Sequence, residues 1–190
     1  MNTGKRLKMM LLAAMFAALT AVGAFLQIPL GFTSITLQTF FTLMAAVLLG
    51  PRWGTLSQAV YVLLGLVGLP IFTQGGGIGY FLKPSMGFLL GLIPMALVAG
   101  LVAGDPAEPK HRALRLAAAL AAGELVLYLI GAPYMGLILN LHLGKAYTAA
   151  EIARIGCLIY LPGDLVKVVV LALLYRPLVR ALTAAGVLRK

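Results

Sequence analysis

The stretch "YLPGDLVKVVVLALLY", residues 160–175, places an acid, Asp164, and a base, Lys167, at the head of a run that is otherwise apolar through Tyr175. Residues three apart on a helix share a face. Within a bilayer, ionisable groups are rare and turn toward protein rather than lipid. Pro162 suits the first turn of a helix, where its missing N–H is not needed. Asp164 then falls near the helix N-terminus, where the macrodipole favours a carboxylate. That accounts for Asp164 but not for Lys167, which faces the positive end of the same dipole. Tyr160, Asp164, Lys167 and Leu171 stack on one face and form a strip leading inward. A buried ion pair adds little net stability by itself. A pair whose remaining donors and acceptors meet a ligand explains the strip better.

The rest of the chain makes the membrane the setting. Of its 190 residues, 62% are hydrophobic and 11% charged, with a mean hydropathy of +1.02. A soluble domain carries about 25% charged residues, so this chain cannot cover itself with polar surface. It reads as an all-α integral membrane protein, one compact domain over residues 1–190. Bilayer spans take roughly 20 residues each, which leaves room for about six. Apolar segments fall at 7–28, 37–49, 55–69, 84–103, 114–141 and 161–182. The second and third are short for full spans, which predicts irregular backbone buried in protein beside them. Met9–Ile28 is long enough to span, so the basic start reads as the first helix rather than a cleaved signal.

Basic residues then orient the bundle. One side receives Lys5, Arg6, Lys8, Arg52, Lys110, Arg112, Arg115, Arg176, Arg180, Arg189 and Lys190, and the other only Lys83, Lys145, Arg154 and Lys167. Eleven against four predicts six transmembrane helices with both termini cytoplasmic. The net charge of +10 is spread over loop ends without interleaved aromatics, so no nucleic acid is implied. The outer side holds the connections 29–36, 70–83 and 142–160, where the unusual residues gather.

Several residues have a bland reading beside a functional one. "QGGGIG", 74–79, lacks a following Lys-Ser/Thr, and Tyr80 stands where GxGxxG needs its last glycine, so it is no phosphate cradle. It is a flexible turn or a loop whose bare backbone, Gly76 included, approaches a ligand. On the first helix Ala13, Ala17 and Ala21 recur every fourth residue, as do Ala14 and Ala18. That spacing lets a helix approach closely, from this chain's own core or from a partner. Glu124 lies inside the fifth segment with no Lys or Arg from 116 to 144, and reads as a neutral, hydrogen-bonded structural carboxyl. His111 and His142 read as loop residues, and the single cysteine, Cys157, excludes a CxxC site. No metal or cofactor site is visible.

In order and spacing, "ITLQTF", "LGPRWGTLSQAVYVLLGLVGLPIF", the glycine-rich loop, "YLIGAPYMGL", "LGKA" and "LPGDLVK" resemble the biotin transporter family BioY, the substrate-capture S components of energy-coupling-factor transporters. The resemblance covers nearly the whole chain. "LKPSMGF" at 82–88 departs from the family's Gly-Pro-Thr-Gly-Gly-like turn. The resemblance implies a six-helix bundle in a prokaryotic plasma membrane and biotin as the transported ligand, bound near the outer face with no cofactor. It also implies partners: a transmembrane scaffold and two ATP-binding subunits, with docking through small residues of the first helix, Ala13, Ala14, Ala17 and Ala18.

Biotin's ureido ring offers two N–H donors and one polarised carbonyl, which complement a carboxylate and an ammonium, Asp164 and Lys167. Phe32, Phe72, Tyr80, Tyr128 and Tyr160 are candidates for the walls around its apolar body. Gln38 and Gln74 are candidates for further polar contacts, and Gly76 for backbone approach. Two alternatives stay open: the same fold with another small vitamin, or a membrane-embedded enzyme using Lys167 or Glu124 as base. The second lacks a visible nucleophile or metal cluster. No ATP-binding motif is present, so the chain is not expected to energise uptake alone.

Overall fold

The computed structural model describes residues 3–105 and 112–188. His111, Lys110, Arg189 and Lys190 lie outside them. Six α-helices dominate: α1 (Thr3–Phe25), α2 (Gln38–Leu66), α3 (Met86–Ala103), α4 (Arg112–Leu137), the short α5 (Ala149–Ala153) and α6 (Leu161–Ala184). Among the described residues, four helical stretches are long and apolar enough to cross a membrane: Thr3–Phe25, Met86–Ala103, Ala113–His142 and Ala149–Ala184.

Helix α2 is broken in the middle. Gly50 has φ 80° and ψ 176°, a conformation that L side chains rarely adopt, and Pro51 opens the next turn. The two arms fold back on each other. Thr42 Oγ1 donates to Gln58 Oε1 at 2.9 Å, and Gln38 Nε2 donates to Tyr61 OH at 2.7 Å. A Cβ on Gly54 would stand 2.8 Å from Ala46 Cα. Pairs 46/54, 42/58 and 38/61 close on the turn at Gly50, as in an antiparallel helical hairpin. The break falls where the sequence predicts a turn between two short spans. Each arm, at 38–49 and 51–66, is indeed shorter than the roughly 20 residues of a full span. The first arm is largely buried, with Leu43 and Ala45–Val47 at 0% exposure, whereas the second buries one face and exposes Leu56, Val60, Leu63 and Leu64.

The all-α expectation needs one amendment. Helix α1 ends at Phe25, and the chain then forms a two-stranded antiparallel ribbon, β1 (Gln27–Leu30) and β2 (Thr33–Thr36), in register Gln27↔Thr36 to Leu30↔Thr33. The turn is Gly31-Phe32, with Gly31 at φ 83°, a residue suited to the positive φ of a tight hairpin. β-Branched Thr33, Ile35 and Thr36 favour the extended form.

The connection at 142–160, expected as a loop, is also more ordered. A π-helical turn (Ile138–His142) ends α4, Asn140 grips the backbone of Tyr147 through both ends of its amide (2.8 and 2.9 Å), and Thr148 with Glu151 forms a capping box for α5. A second π-helical turn (Arg154–Leu158) leads into α6.

Helix α3 packs on both α2 and α4, α1 lies against α2, and α6 touches α2 and α4 more sparingly. Lys8 Nζ donates to Ala185 O at 2.9 Å, so the two described chain ends share one face of the bundle. The ribbon, the glycine-rich loop and the α5 region share the opposite face.

Replacing Gly54 with Val drives side-chain atoms into the facing arm. Overpacking of this kind costs about 1–3 kcal/mol. The thermal unfolding midpoint in detergent is expected to fall for Gly54→Val and to hold for Gly4→Val, whose Cβ meets nothing within 4 Å. Equal midpoints would mean that the arms are not packed in this register.

Candidate functional site

The site grows from the first turns of α6. Asp164 and Lys167 are 6% and 7% exposed and form an ion pair. Tyr128, on α4, donates its hydroxyl to the other oxygen of Asp164. The Lys167 ammonium reaches across to the end of the ribbon and the start of α2, donating to Thr36 O at 3.0 Å and Thr39 Oγ1 at 2.7 Å. An ammonium has three donors. All three are engaged: Asp164, Thr36 and Thr39. Asp164 receives two bonds and, with about four lone-pair sites, keeps acceptor capacity.

These groups stand at one end of a cavity lined by the ribbon, the start of α2, and residues of α3, α4 and α6. The ribbon and the start of α2 roof it with hydroxyls and an amide. Thr33 and Tyr160 share a hydroxyl–hydroxyl bond, and Thr36 Oγ1 donates to Gln38 Oε1 at 3.0 Å. Phe88, Leu89, Leu92 and Leu127 make an apolar wall. At the far end Tyr80 holds Thr73 (3.0 Å) and Ser85 (3.1 Å) through its hydroxyl. One polar end, one apolar body and a second polar end suit an elongated amphiphilic molecule.

Six of the sequence-derived candidates come together around this cavity: Gln38, Tyr80, Tyr128, Tyr160, Asp164 and Lys167. Four do not. Phe72 is 1% exposed and sits behind the wall, its ring 5.6 Å from that of Tyr61 and 4.8 Å from that of Tyr80. Phe32, in the ribbon turn, points instead at Tyr147 (rings 6.1 Å apart) and a small separate cluster with Met135 and Ile152. Gln74 is exposed and accepts from Lys83 Nζ through its backbone oxygen (3.2 Å) and Oε1 (3.1 Å). Gly76 is bare because a Cβ there would collide with the backbone oxygens of Leu69 and Gly65; its closeness serves the loop's own packing. Thr36, Thr39, Ser85 and Phe88 were not singled out from sequence. Ser85, Phe88, Leu89 and Leu92 do fall on one helical face, a pattern indistinguishable from ordinary core.

Two expectations elsewhere change. Glu124 is 8% exposed, yet neither carboxyl oxygen has a hydrogen-bond partner among the described residues, so it is not the hydrogen-bonded group expected. The small residues of α1 divide: Ala13 and Ala17 are 4% and 5% exposed and belong to the chain's own core, whereas Ala14 and Ala18 are exposed. Packing in the core removes the first two from any surface that a partner can reach.

A helical membrane bundle holding a buried, self-satisfied ion pair at the head of an amphiphilic cavity defines a small-molecule capture module. The chain belongs to the BioY family, whose profile matches residues 1–184. It is 38% identical over 180 residues to the probable biotin transporter BioY of Lysinibacillus sphaericus, covering 95% of this chain and 91% of that protein. With the biotin transporter BioY of Thermotoga maritima it shares 37% identity over 169 residues, 88% of this chain and 94% of that one. Among solved structures, the crystal structure of the S-component for biotin from an ECF-type ABC transporter superposes with a TM-score of 0.77 at 26% identity, covering 94% of each chain. These relatives are transporters, not enzymes.

Thr39→Val is nearly isosteric and leaves the Lys167 ammonium one acceptor short. A hydrogen bond to a charged group contributes about 1.5–3 kcal/mol. The ligand-free protein in detergent is expected to unfold at a correspondingly lower temperature. An unchanged midpoint would show that the ammonium does not depend on Thr39.

Proposed function

We propose that this cavity captures biotin from the outer face of a prokaryotic plasma membrane, as the S component of an energy-coupling-factor transporter. The observation that carries the reading is the Asp164–Lys167 pair with Tyr128 at one polar end of an amphiphilic cavity, in a chain whose relatives are named biotin transporters. The ureido ring brings two N–H donors, and Asp164 has the acceptor capacity for them. Its carbonyl needs a donor, which Lys167 supplies by releasing one of its three present acceptors. The thiophane ring and valerate chain lie along Phe88, Leu89, Leu92 and Leu127. The free carboxylate points to the far end, where Lys83 stands 5.4 Å from the Tyr80 ring centroid. Phe72 supports this wall from behind, while Phe32, Gln74 and Gly76 hold the surrounding loops.

The bundle crosses the bilayer with six segments, counting the two arms of α2 separately, and keeps both termini in the cytoplasm. The meeting of Lys8 with Ala185 supports a common face for the ends, and the concentration of basic residues on that side supports the cytoplasm. Uptake requires a transmembrane scaffold and two ATP-binding subunits. Ala14 and Ala18, exposed one turn apart on α1, supply the close-approach surface for the scaffold.

Calorimetry with biotin on detergent-solubilised protein tests the site. Asp164→Asn and Lys167→Met are each expected to weaken binding by about 2–5 kcal/mol, the range for truncating one partner of a buried charge pair. The double variant is expected to lose less than the sum, because no unpaired charge remains. Parent-like binding in both single variants would place the ligand elsewhere.

Docking separates from capture in a second test. Ala14→Leu with Ala18→Leu is expected to abolish co-purification with the scaffold while biotin affinity holds, whereas Ala13→Leu with Ala17→Leu should unfold the core. If the exposed pair assembles normally, the scaffold meets a different face.

A further inference from the structure

Helices α4 and α6 run antiparallel, joined at the outer face by the segment containing α5. Tyr128 of α4 meets Asp164 of α6. One turn deeper on α4 is Glu124, and one turn deeper on α6 is Lys167, so the register brings a second carboxyl to the level of the ammonium. Glu124 lies in the electrostatic field of both Asp164 and Lys167. It is nonetheless the one of the three that is left out: Lys167 has spent its donors on Asp164, Thr36 and Thr39, and both Glu124 oxygens lack a partner among the described residues. A buried polar group without a partner is unfavourable, and an apolar side chain there would avoid the loss.

We propose that Glu124 is the reserve counter-group of Lys167: when a ligand claims Asp164, the ammonium swings across to Glu124. The exchange resolves a conflict in the empty site. A ligand whose donors approach the Asp164 oxygen that faces Lys167 meets the ammonium already there. A ligand that needs a donor finds none free on the ammonium. Moving Lys167 toward Glu124 clears one oxygen of Asp164 and keeps the ammonium paired throughout, so neither charge is ever bare in the low-dielectric interior. Glu124 is then a positioning residue, acting on the ligand through Lys167. A buried carboxyl without a partner is neutral, so Glu124 gives its proton to water at the cavity mouth as the ammonium arrives and takes one back when the ammonium returns to Asp164; no other bond is made or broken.

The first test needs no ligand. Thermal unfolding in detergent is compared for the parent, Glu124→Gln, Asp164→Asn and the double variant. Glu124→Gln alone should leave the midpoint unchanged or raise it, since an unpartnered carboxyl is removed. Asp164→Asn should be tolerated because Glu124 takes over the ammonium. The double variant, with no carboxylate for Lys167, should fall further than the two single shifts added. Its failure to accumulate while both single variants do is the extreme of that outcome. Additive shifts would overturn the proposal.

The second test, which rests on the capture function proposed above, is biotin calorimetry. Glu124→Gln should weaken binding on the order of tenfold, about 1.4 kcal/mol, and Glu124→Asp should recover part of the loss. Parent-like affinity in Glu124→Gln would mean that the ligand does not use the exchange. Should biotin bind none of the proteins, parent included, the capture function fails and the unfolding comparison still judges Glu124.

Discussion

The short run of contacts centred on the Lys167 ammonium ties together the parts of this bundle that packing alone leaves loose. Helix α6 makes few contacts with α2 and α4 compared with those linking α1 through α4. Lipid tails are as apolar as leucine, so burial gives no hydrophobic drive for α6 to close the bundle. Lys167 reaches the end of β2 at Thr36 and the start of α2 at Thr39, and Asp164 receives Tyr128 from α4. Three elements thus converge on one ion pair. The ribbon is held over the cavity by the same bonds that hold α6 against it, so any change at the pair is felt by the roof.

Elsewhere the bundle is assembled by omission rather than by attraction. The two arms of α2 lie close because Gly54 has no side chain, and their facing polar groups settle one another: Gln58 takes Thr42 on its oxygen and gives to Ser57 and Thr20. That cluster sits among residues that are 0% exposed. It locks α1 to both arms using hydrogen bonds that have no water to compete with. The contrast with the ligand end is instructive. Around Gln58 each named hydroxyl has its partner and nothing is spare. Around Asp164 there is acceptor capacity left over, and around Glu124 two oxygens have no partner among the described residues.

How much of this was legible in the sequence depends on which physical signal each part rests on. Membrane residence, the break near Gly50 and the importance of Asp164 with Lys167 follow from hydropathy and helical spacing, which are local. The ribbon at 27–36 was hidden because its apolar residues continue those of α1, and only the β-branched Thr33, Ile35 and Thr36 mark it. Phe32 and Phe72 looked like walls because aromatic residues in outer loops suit an apolar ligand. Whether such a ring faces the cavity or backs it depends on long-range packing, here on Tyr147 and on Tyr61, which no spacing rule supplies. Gly76 misled for a related reason: a bare backbone signals close approach without naming what approaches. Ala13 and Ala14 are neighbours in sequence, and only the placement of α2 decides that one is core and the other surface.

A carrier must be stable empty as well as loaded, and within a bilayer this is a severe condition because no solvent can stand in for a departed ligand. A site built as bare, ligand-seeking charges would be unfavourable whenever it was vacant. Here the ammonium closes on Asp164, Thr36 and Thr39 instead, so the ligand-free state keeps its charges satisfied. Any ligand then binds with only the difference between its own hydrogen bonds and those it displaces, which lowers affinity relative to an open site. The same difference eases release, since the internal partners return as the ligand leaves. Internal satisfaction of Lys167 therefore trades binding strength for reversibility, and reversibility is the property that a transport component needs and a scavenging protein does not.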